Sequence, residues 1–225
     1  MNKKALVLLS GGQDSTTCLF WAIKEYGADM VSAVGFSYGQ KHIQELEIAR
    51  EICAIPRVPY EILDLSALSS LSRNALTNHN IKIENFTESK PSTGTVDIPN
   101  TFVPGRNLLF LSFAAAAAYQ RGITDIIIGV SQADYSGYPD CREAFIIAAE
   151  NALRLSMDHN FNIITPLINL DKSQVWALSE ELGCFELIKE KTLTCYNGVT
   201  GEGCKKCPAC VLRRRGLERF EALPD

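Results

Sequence analysis

Residues 5–9 read Ala-Leu-Val-Leu-Leu, apolar at every position, and run directly into Ser10-Gly11-Gly12-Gln13-Asp14-Ser15. A strand with no polar side must be covered on both faces, which is the condition inside a parallel sheet flanked by helices. The next segment agrees: from Asp14 to Tyr26 the chain brings Cys18, Leu19, Ala22 and Ile23 to one side of a helix. A strand, a glycine turn and a helix at the start restrict the fold to architectures in which the next strand can lie parallel to the first.

The unit recurs. Residues 31–36 form a second apolar run, Gln40 to Ala54 an amphipathic helix with Glu45, Glu47 and Arg50 outward, and residues 60–65 a third strand. From Ser66 to Pro104 the pattern lapses into Ser, Thr, Asn and Pro with no periodic segment longer than a turn; so long a loop in a compact domain is usually functional. Order returns with a helix over 107–121, whose run Ala114 to Ala118 permits close approach to a sheet. A β-branched strand over 123–130, a helix over 141–157, a strand over 161–165 and a helix over 172–182 follow. This alternation predicts an α/β fold, a doubly wound, mostly parallel, Rossmann-like sheet over residues 1–184, with residues 185–225 as a small metal-pinned segment.

The chain's 225 residues, 46% of them hydrophobic, can bury a full core. A formal charge of −4 argues against a protein that coats nucleic acid and favours small-molecule substrates. The N-terminus imitates a signal peptide, but its apolar run ends at Ser10, and no stretch approaches the roughly 20 apolar residues that span a bilayer. The expected location is the cytoplasm, with no membrane partner.

At a helix N-terminus, Ser10, Gly11, Gly12 and Ser15 offer an anion free backbone N–H groups, two hydroxyls and a favourable dipole. The glycines let phosphate oxygens approach the backbone closely. Neither G-x-x-x-x-G-K-S/T nor G-x-G-x-x-G occurs, so an ordinary ATPase or a dehydrogenase is not indicated. The bland alternative is that Ser10 and Asp14 merely cap the helix. S-G-G-x-D-S resembles the pyrophosphate loop of the N-type ATP pyrophosphatases, which cleave ATP between the α and β phosphates and transfer AMP to a substrate oxygen. That resemblance implies a loop holding the pyrophosphate leaving group, with Asp14 as a magnesium partner.

Four of the eight cysteines, Cys195, Cys204, Cys207 and Cys210, fall within sixteen residues as C-x8-C-x2-C-x2-C. The short spacings let thiolates converge on one tetrahedral ion, and four sulfurs leave no open position, so a zinc there would be structural. An iron–sulfur cluster is the chemical alternative. The run Arg213-Arg214-Arg215 that follows reads as a solvated helix face or a salt-bridge partner.

Four other stretches are candidates for ligand contact, two of them at strand ends, where ligands bind in such folds. Residues 129–142, with Asp134, Tyr138, Asp140 and Arg142, combine donors, acceptors and rings; an ordinary loop with Asp140 capping the next helix is the competing account. Arg106 in Asn100 to Asn107 can clamp phosphate or form a surface salt bridge. Tyr38-Gly39-Gln40 can meet a nucleoside or form a plain turn, and Lys172 can neutralise phosphate at a helix that Asp171 caps. His42, His79 and His159 share no spacing that suggests catalysis.

Taken together, S-G-G-Q-D-S-T-T-C, F-x-Y-G-Q, N-T-F-V-P-G-R-N, S-G-Y-P-D-C-R and L-T-C-Y-N-G with the trailing cysteines resemble the 7-cyano-7-deazaguanine synthase family, from Leu6 to Arg215. The resemblance implies conversion of 7-carboxy-7-deazaguanine and ammonia to the nitrile through an adenylated acid and then an adenylated amide. It implies ATP contacts from Leu9, Ser10, Gly11, Gly12, Gln13, Asp14, Ser15, Thr16, Thr17, Cys18, Leu19, Tyr38 and Gln40. Catalytic roles fall to Asp14, Ser15, Arg106 and Lys172, and substrate contacts to Asp134, Tyr138, Asp140 and Arg142. One structural zinc per chain on the four cysteines, magnesium with ATP, and a homodimer complete the expectation. The sequence names no residue that takes the ammonia proton. A tRNA-base thiolase with the same loop, and a non-catalytic zinc-ribbon module, are the rival readings; the first calls for a basic RNA face and the second leaves the Ser10 loop unexplained.

Overall fold

β1 (Ala5–Leu8) is buried along its whole length, and its side chains alternate between two cores. Leu6 and Leu8 enter one, and Ala5 and Val7 the other. The structure is a computed structural model that describes residues 3–71, 74–78, 80–86, 99–133 and 138–222. After β1 come α1 (Gln13–Tyr26), β2 (Val31–Ser37), α2 (Gln44–Ala54), β3 (Tyr60–Asp64), the single turn α3 (Leu68–Leu71) and α4 (Arg106–Gln120). Then follow β4 (Asp125–Ile127), α5 (Glu143–Met157), β5 (Asn162–Ile164), α6 (Lys172–Glu181), α7 (Phe185–Lys191) and α8 (Pro208–Glu221).

The strands form one sheet in the order β3-β2-β1-β4-β5. Every pairing is parallel, with Val7 opposite Ala33 on one side and Ile127 on the other. Helices cover both faces, as the all-apolar β1 required. The chain winds outward from β1 to β3, then returns to start β4 on β1's other edge. The cleft between the carboxyl ends of β1 and β4 is therefore the switch point where ligands bind in this architecture. Among the described residues, no helix is long and apolar enough to cross a membrane.

Several boundaries differ from the sequence expectation for identifiable reasons. α2 starts at Gln44, not Gln40, because the Gln40 side chain closes a turn: its Oε1 accepts from Tyr38 N at 2.8 Å and its Nε2 donates to Phe36 O at 3.0 Å. β4 pairs over only three of the residues expected in a 123–130 strand, and the chain beyond it carries Gly129 and Ser131 into the switch-point cleft. α5 starts at Glu143 because Arg142 is extended, with ψ 146°. Asp140 does not cap that helix. Its carboxylate sits instead at the start of α4, where Oδ2 accepts from Asn107 N at 3.2 Å.

α6 opens with a capping box. Asp171 Oδ1 accepts from Ser173 N and Gln174 N at 2.9 and 3.0 Å, and Gln174 Oε1 accepts from Asp171 N at 2.9 Å. α8 packs along α6, and closest approach falls at Gly216, where a Cβ would meet Lys172 Cβ at 2.3 Å and its carbonyl carbon at 2.7 Å. In a solvated helix interior Gly→Ala stabilises by about 1 kcal/mol, but overpacking against backbone costs about 1–3 kcal/mol. Gly216→Ala is accordingly expected to lower the urea midpoint; a raised midpoint would show that α8 does not bear on α6 so closely.

Candidate active site

The turn after β1 is organised for a ligand rather than for capping its own helix. Gly12 is the N-cap of α1, extended and without a side-chain cap. Ser10 Oγ and Ser15 Oγ lie 3.1 Å apart, Ser15 Oγ accepts from Ser10 N at 3.2 Å, and it reaches Gly12 O at 3.2 Å. Asp14 turns away and accepts both of its hydrogen bonds from Lys172 Nζ, at 2.8 and 2.7 Å. The capping account of Ser10 and Asp14 is therefore not what the geometry shows.

Gly11 is the position on which this turn depends. Its φ is +80°, and a Cβ there would stand 2.6 Å from Glu45 O in α2. From the other side the C-terminal segment holds the turn: Leu193 N donates to Gly11 O at 2.9 Å and Gln13 N to Thr194 Oγ1 at 3.0 Å.

Ser10, Gly12, Asp14, Ser15 and Lys172 line one side of a cavity of about 290 Å³ at the switch point. A second wall is aromatic. Phe36 and Phe110 stack with centroids 4.3 Å apart, Tyr38 lies 5.4 Å from Phe110, and the Arg106 guanidinium sits 6.0 Å above the Phe110 ring. Tyr138 stacks near Phe102 at 5.8 Å, and its hydroxyl meets Thr101 Oγ1 at 2.6 Å and Tyr196 Oη at 3.3 Å. Rings with a few fixed polar groups make a slot for a planar ligand. Among the described residues, Arg106 Nε is buried without a hydrogen-bond partner, a donor that a ligand can satisfy. Burial opposes the Arg106 charge, but the oxygens of Tyr38, Asp140 and Tyr138 outweigh it and hold the guanidinium protonated above its ordinary range. Burial also pushes the Tyr38 phenol up to about 12.

Of the residues singled out in the sequence, Leu9, Ser10, Gly12, Gln13, Asp14, Ser15, Tyr38, Gln40, Arg106, Tyr138 and Lys172 line this one cavity. Gly11 lies behind it against α2. Thr16, Thr17, Cys18 and Leu19 are fully buried inside α1, where Thr17 Oγ1 donates to Gln13 O at 3.0 Å and burial raises the Cys18 thiol. Asp140 is buried beneath α4, and Arg142 is exposed and does not line the cavity. Asp134 lies outside the described residues.

Two residues stand where sequence reasoning did not put them. Glu45, assigned outward, is half-buried and lines the cavity, because the later start of α2 and the contact with Gly11 turn that face of the helix inward. Arg213, assigned to a solvated run, is buried at 5% exposure. It donates to Thr192 Oγ1 and Thr194 Oγ1 at 2.8 and 3.1 Å and to the α7 carbonyls of Ile188 and Lys189 at 2.7 and 3.1 Å. Its guanidinium also lies 5.3 Å over the buried Trp176 ring. Burial lowers its pKa to about 10, so it still carries charge at neutral pH. The neighbouring Arg214 keeps the expected surface role, 3.5 Å from Glu218.

The four clustered thiols lie within 4.8 Å of one another. Cys204 Sγ is 3.9 Å and Cys207 Sγ 3.4 Å from Cys210 Sγ. A tetrahedral ion about 2.3 Å from each sulfur requires separations of about 3.8 Å, so the set fits a single metal ion. Backbone N–H groups of Asn197 and Cys207 point at Cys195 and Cys204 sulfurs, each at 3.3 Å, which favours thiolates. Thr194 and Cys195 are adjacent, so the metal-binding segment and the clamp on the Ser10 turn are one piece of chain.

The family model described as queuosine biosynthesis protein QueC matches residues 4–221. The chain belongs to this family. A 7-cyano-7-deazaguanine synthase of Clostridium acetobutylicum is 53% identical over 98% of the chain and 96% of its own length. One from Staphylococcus haemolyticus is 55% identical over 98% and 95%. Membership of the QueC family bears out the resemblance read from the motifs and removes the footing of the thiolase and zinc-ribbon readings. Among solved structures, an NMN synthetase from Francisella tularensis superposes with a TM-score of 0.51 over all of this chain and 89% of that one, at 15% identity, a likeness of fold.

Proposed function

We propose that the chain is a 7-cyano-7-deazaguanine synthase that uses ATP to turn 7-carboxy-7-deazaguanine and ammonia into the nitrile, a queuosine precursor. The observation that carries this reading is that an anion-binding turn and an aromatic slot line the same small cavity. Relatives of that name, more than half identical along the chain, supply the substrate.

A carboxylate is a poor electrophile because its charge is delocalised, so its oxygen must first become a leaving group. Transfer of AMP to that oxygen, with loss of pyrophosphate, gives the acyl-adenylate. Ammonia displaces AMP to give the amide, and a second adenylation, now of the amide oxygen, permits dehydration. The Ser10–Ser15 turn and Lys172 stabilise the departing pyrophosphate each time. Arg106 holds phosphate or carboxylate against the Phe110 wall, while Tyr138 takes the planar base. Magnesium bound with ATP would offset triphosphate charge, and Asp14, the carboxylate of the turn, would hold it. Most of the work is positioning and charge stabilisation.

With the three substrates, the products should be the cyano compound, AMP and pyrophosphate, with two ATP consumed per nitrile. Formation of ADP and phosphate would contradict adenylation.

The metal is proposed to be zinc in a structural role, with residues 185–225 as its segment beside an ATP-binding unit of residues 1–184. A second copy of the chain is proposed as partner, supported by Phe113 on α4 and Ile147 on α5, exposed at 45% and 57%. Native mass spectrometry should find two chains with two zinc ions; a single chain, or iron with sulfide, would overturn the respective assignment.

A further inference from the structure

The proposed route leaves protons on nitrogen without an acceptor. Like a lysine amine, ammonia is mostly protonated at neutral pH and cannot attack in that form. In the first displacement a C–N bond forms, the C–O bond to AMP breaks with its electron pair leaving on AMP, and a surplus N–H proton must go elsewhere. In the second, one N–H proton is lost as the amide oxygen is adenylated, the C–O bond to AMP then breaks, C≡N closes, and the last N–H proton departs. Both steps call for a base beside the reacting carbon.

The ionisable groups of the cavity narrow the choice. Asp14 is paired with Lys172. Burial raises the Cys141 thiol to about 12, and the Tyr38 phenol likewise. Asp140 lies beneath α4 and does not line the cavity, and its Oδ2 accepts from Asn107 N. The His42 ring is packed against Gly198, its Nδ1 only 2.4 Å from where a Cβ would stand. Glu45 is different. It lines the cavity together with the Ser10 turn and Arg106, and among the described residues its carboxylate accepts no hydrogen bond. Charged or ionisable neighbours face it from each element packed around it: Arg106 from α4, Tyr38 from the turn after β2 and Tyr60 from β3. Lys41 and His42 precede it on its own segment.

We propose that Glu45 is the base that takes the nitrogen proton in both displacement steps, accepting it on its carboxylate and returning it to solvent. This rests on the adenylation chemistry proposed above. Burial lifts the Glu45 carboxyl from near 4.5 to about 7, against the pull of the Arg106 charge. A carboxyl poised there is half-ionised at neutral pH, where general-base catalysis is most effective. The same shift makes Glu45 a stability group: the folded chain retains a proton there that the unfolded chain releases, so its stabilisation is lost as pH rises through about 7.

The test is Glu45→Gln, measured step by step. Substrate-dependent exchange of labelled pyrophosphate into ATP, which reports adenylation alone, is expected to stay within about twofold of the unsubstituted chain. Hydroxylamine, a weak base that is already unprotonated at neutral pH, should still trap the acyl-adenylate as the hydroxamate. Nitrile formation should fall by about 100-fold or more, the rise of kcat through pH 7 should vanish, and Glu45→Asp should recover part of both. The variant's thermal midpoint should also fall less than that of the unsubstituted chain between pH 5 and 8. Nitrile formation at an undiminished rate in Glu45→Gln, or loss of exchange and trapping together with it, would overturn the role. Absence of exchange in the unsubstituted chain would instead contradict adenylation, and the Glu45 role with it.

Discussion

The backbone of Gly11 is held in a left-handed conformation between two elements distant in sequence, the carbonyl of Glu45 in α2 and the N–H of Leu193 in the C-terminal segment. The Ser10 turn and the approach of α2 to the cavity take their positions from that junction. The turn ends β1 at the switch point, starts α1 without a side-chain cap, and leaves Ser10 and Ser15 facing the cavity. A side chain at Gly11 would strain φ and strike a backbone carbonyl, so neither neighbour could yield cheaply. The same contact brings α2 close enough for Glu45 to reach the cavity.

Charge follows from the same packing. Lys172 reaches Asp14 because the Asp171 capping box fixes the start of α6, and because Gly216 lets α8 lie against it. Arg213 links this layer to the metal-binding segment: its guanidinium ties Thr192 and Thr194 to the end of α7, and Thr194 in turn holds Gln13 N. A buried cation with this many acceptors is costly to remove, since its partners would be stranded. The four-cysteine cluster thus stands one residue from the clamp on the Ser10 turn, so an ion held by these thiols would help to fix that turn.

What was legible in the sequence was local. β1 could be read because five successive apolar residues permit only a strand covered on both faces, and the cysteines because short spacings alone bring thiolates together. Tyr38 and Tyr138 could be named as ligand candidates from their places after strands and Arg106 as a cation leading into a helix, although only tertiary packing joins them in one cavity. Three features depended on contacts that periodicity does not encode. Glu45 looked outward on a helix counted from Gln40, yet the Gln40 side chain closes a turn and α2 starts later. Arg213 looked like its neighbours in a basic run, and only the packing of α8 on Trp176 distinguishes it. Asp140 sat at the right place to cap α5, but the carboxylate crosses to Asn107 in α4.

In the proposed route the cavity activates substrate oxygen by bonding it to the α-phosphorus of ATP. Labelling both carboxylate oxygens of 7-carboxy-7-deazaguanine with 18O tests this atom by atom. Each oxygen is expected to leave on a separate AMP, one released with the amide and one with the nitrile, so that two singly labelled AMP molecules accompany each nitrile. Label recovered in water, phosphate or pyrophosphate would contradict it.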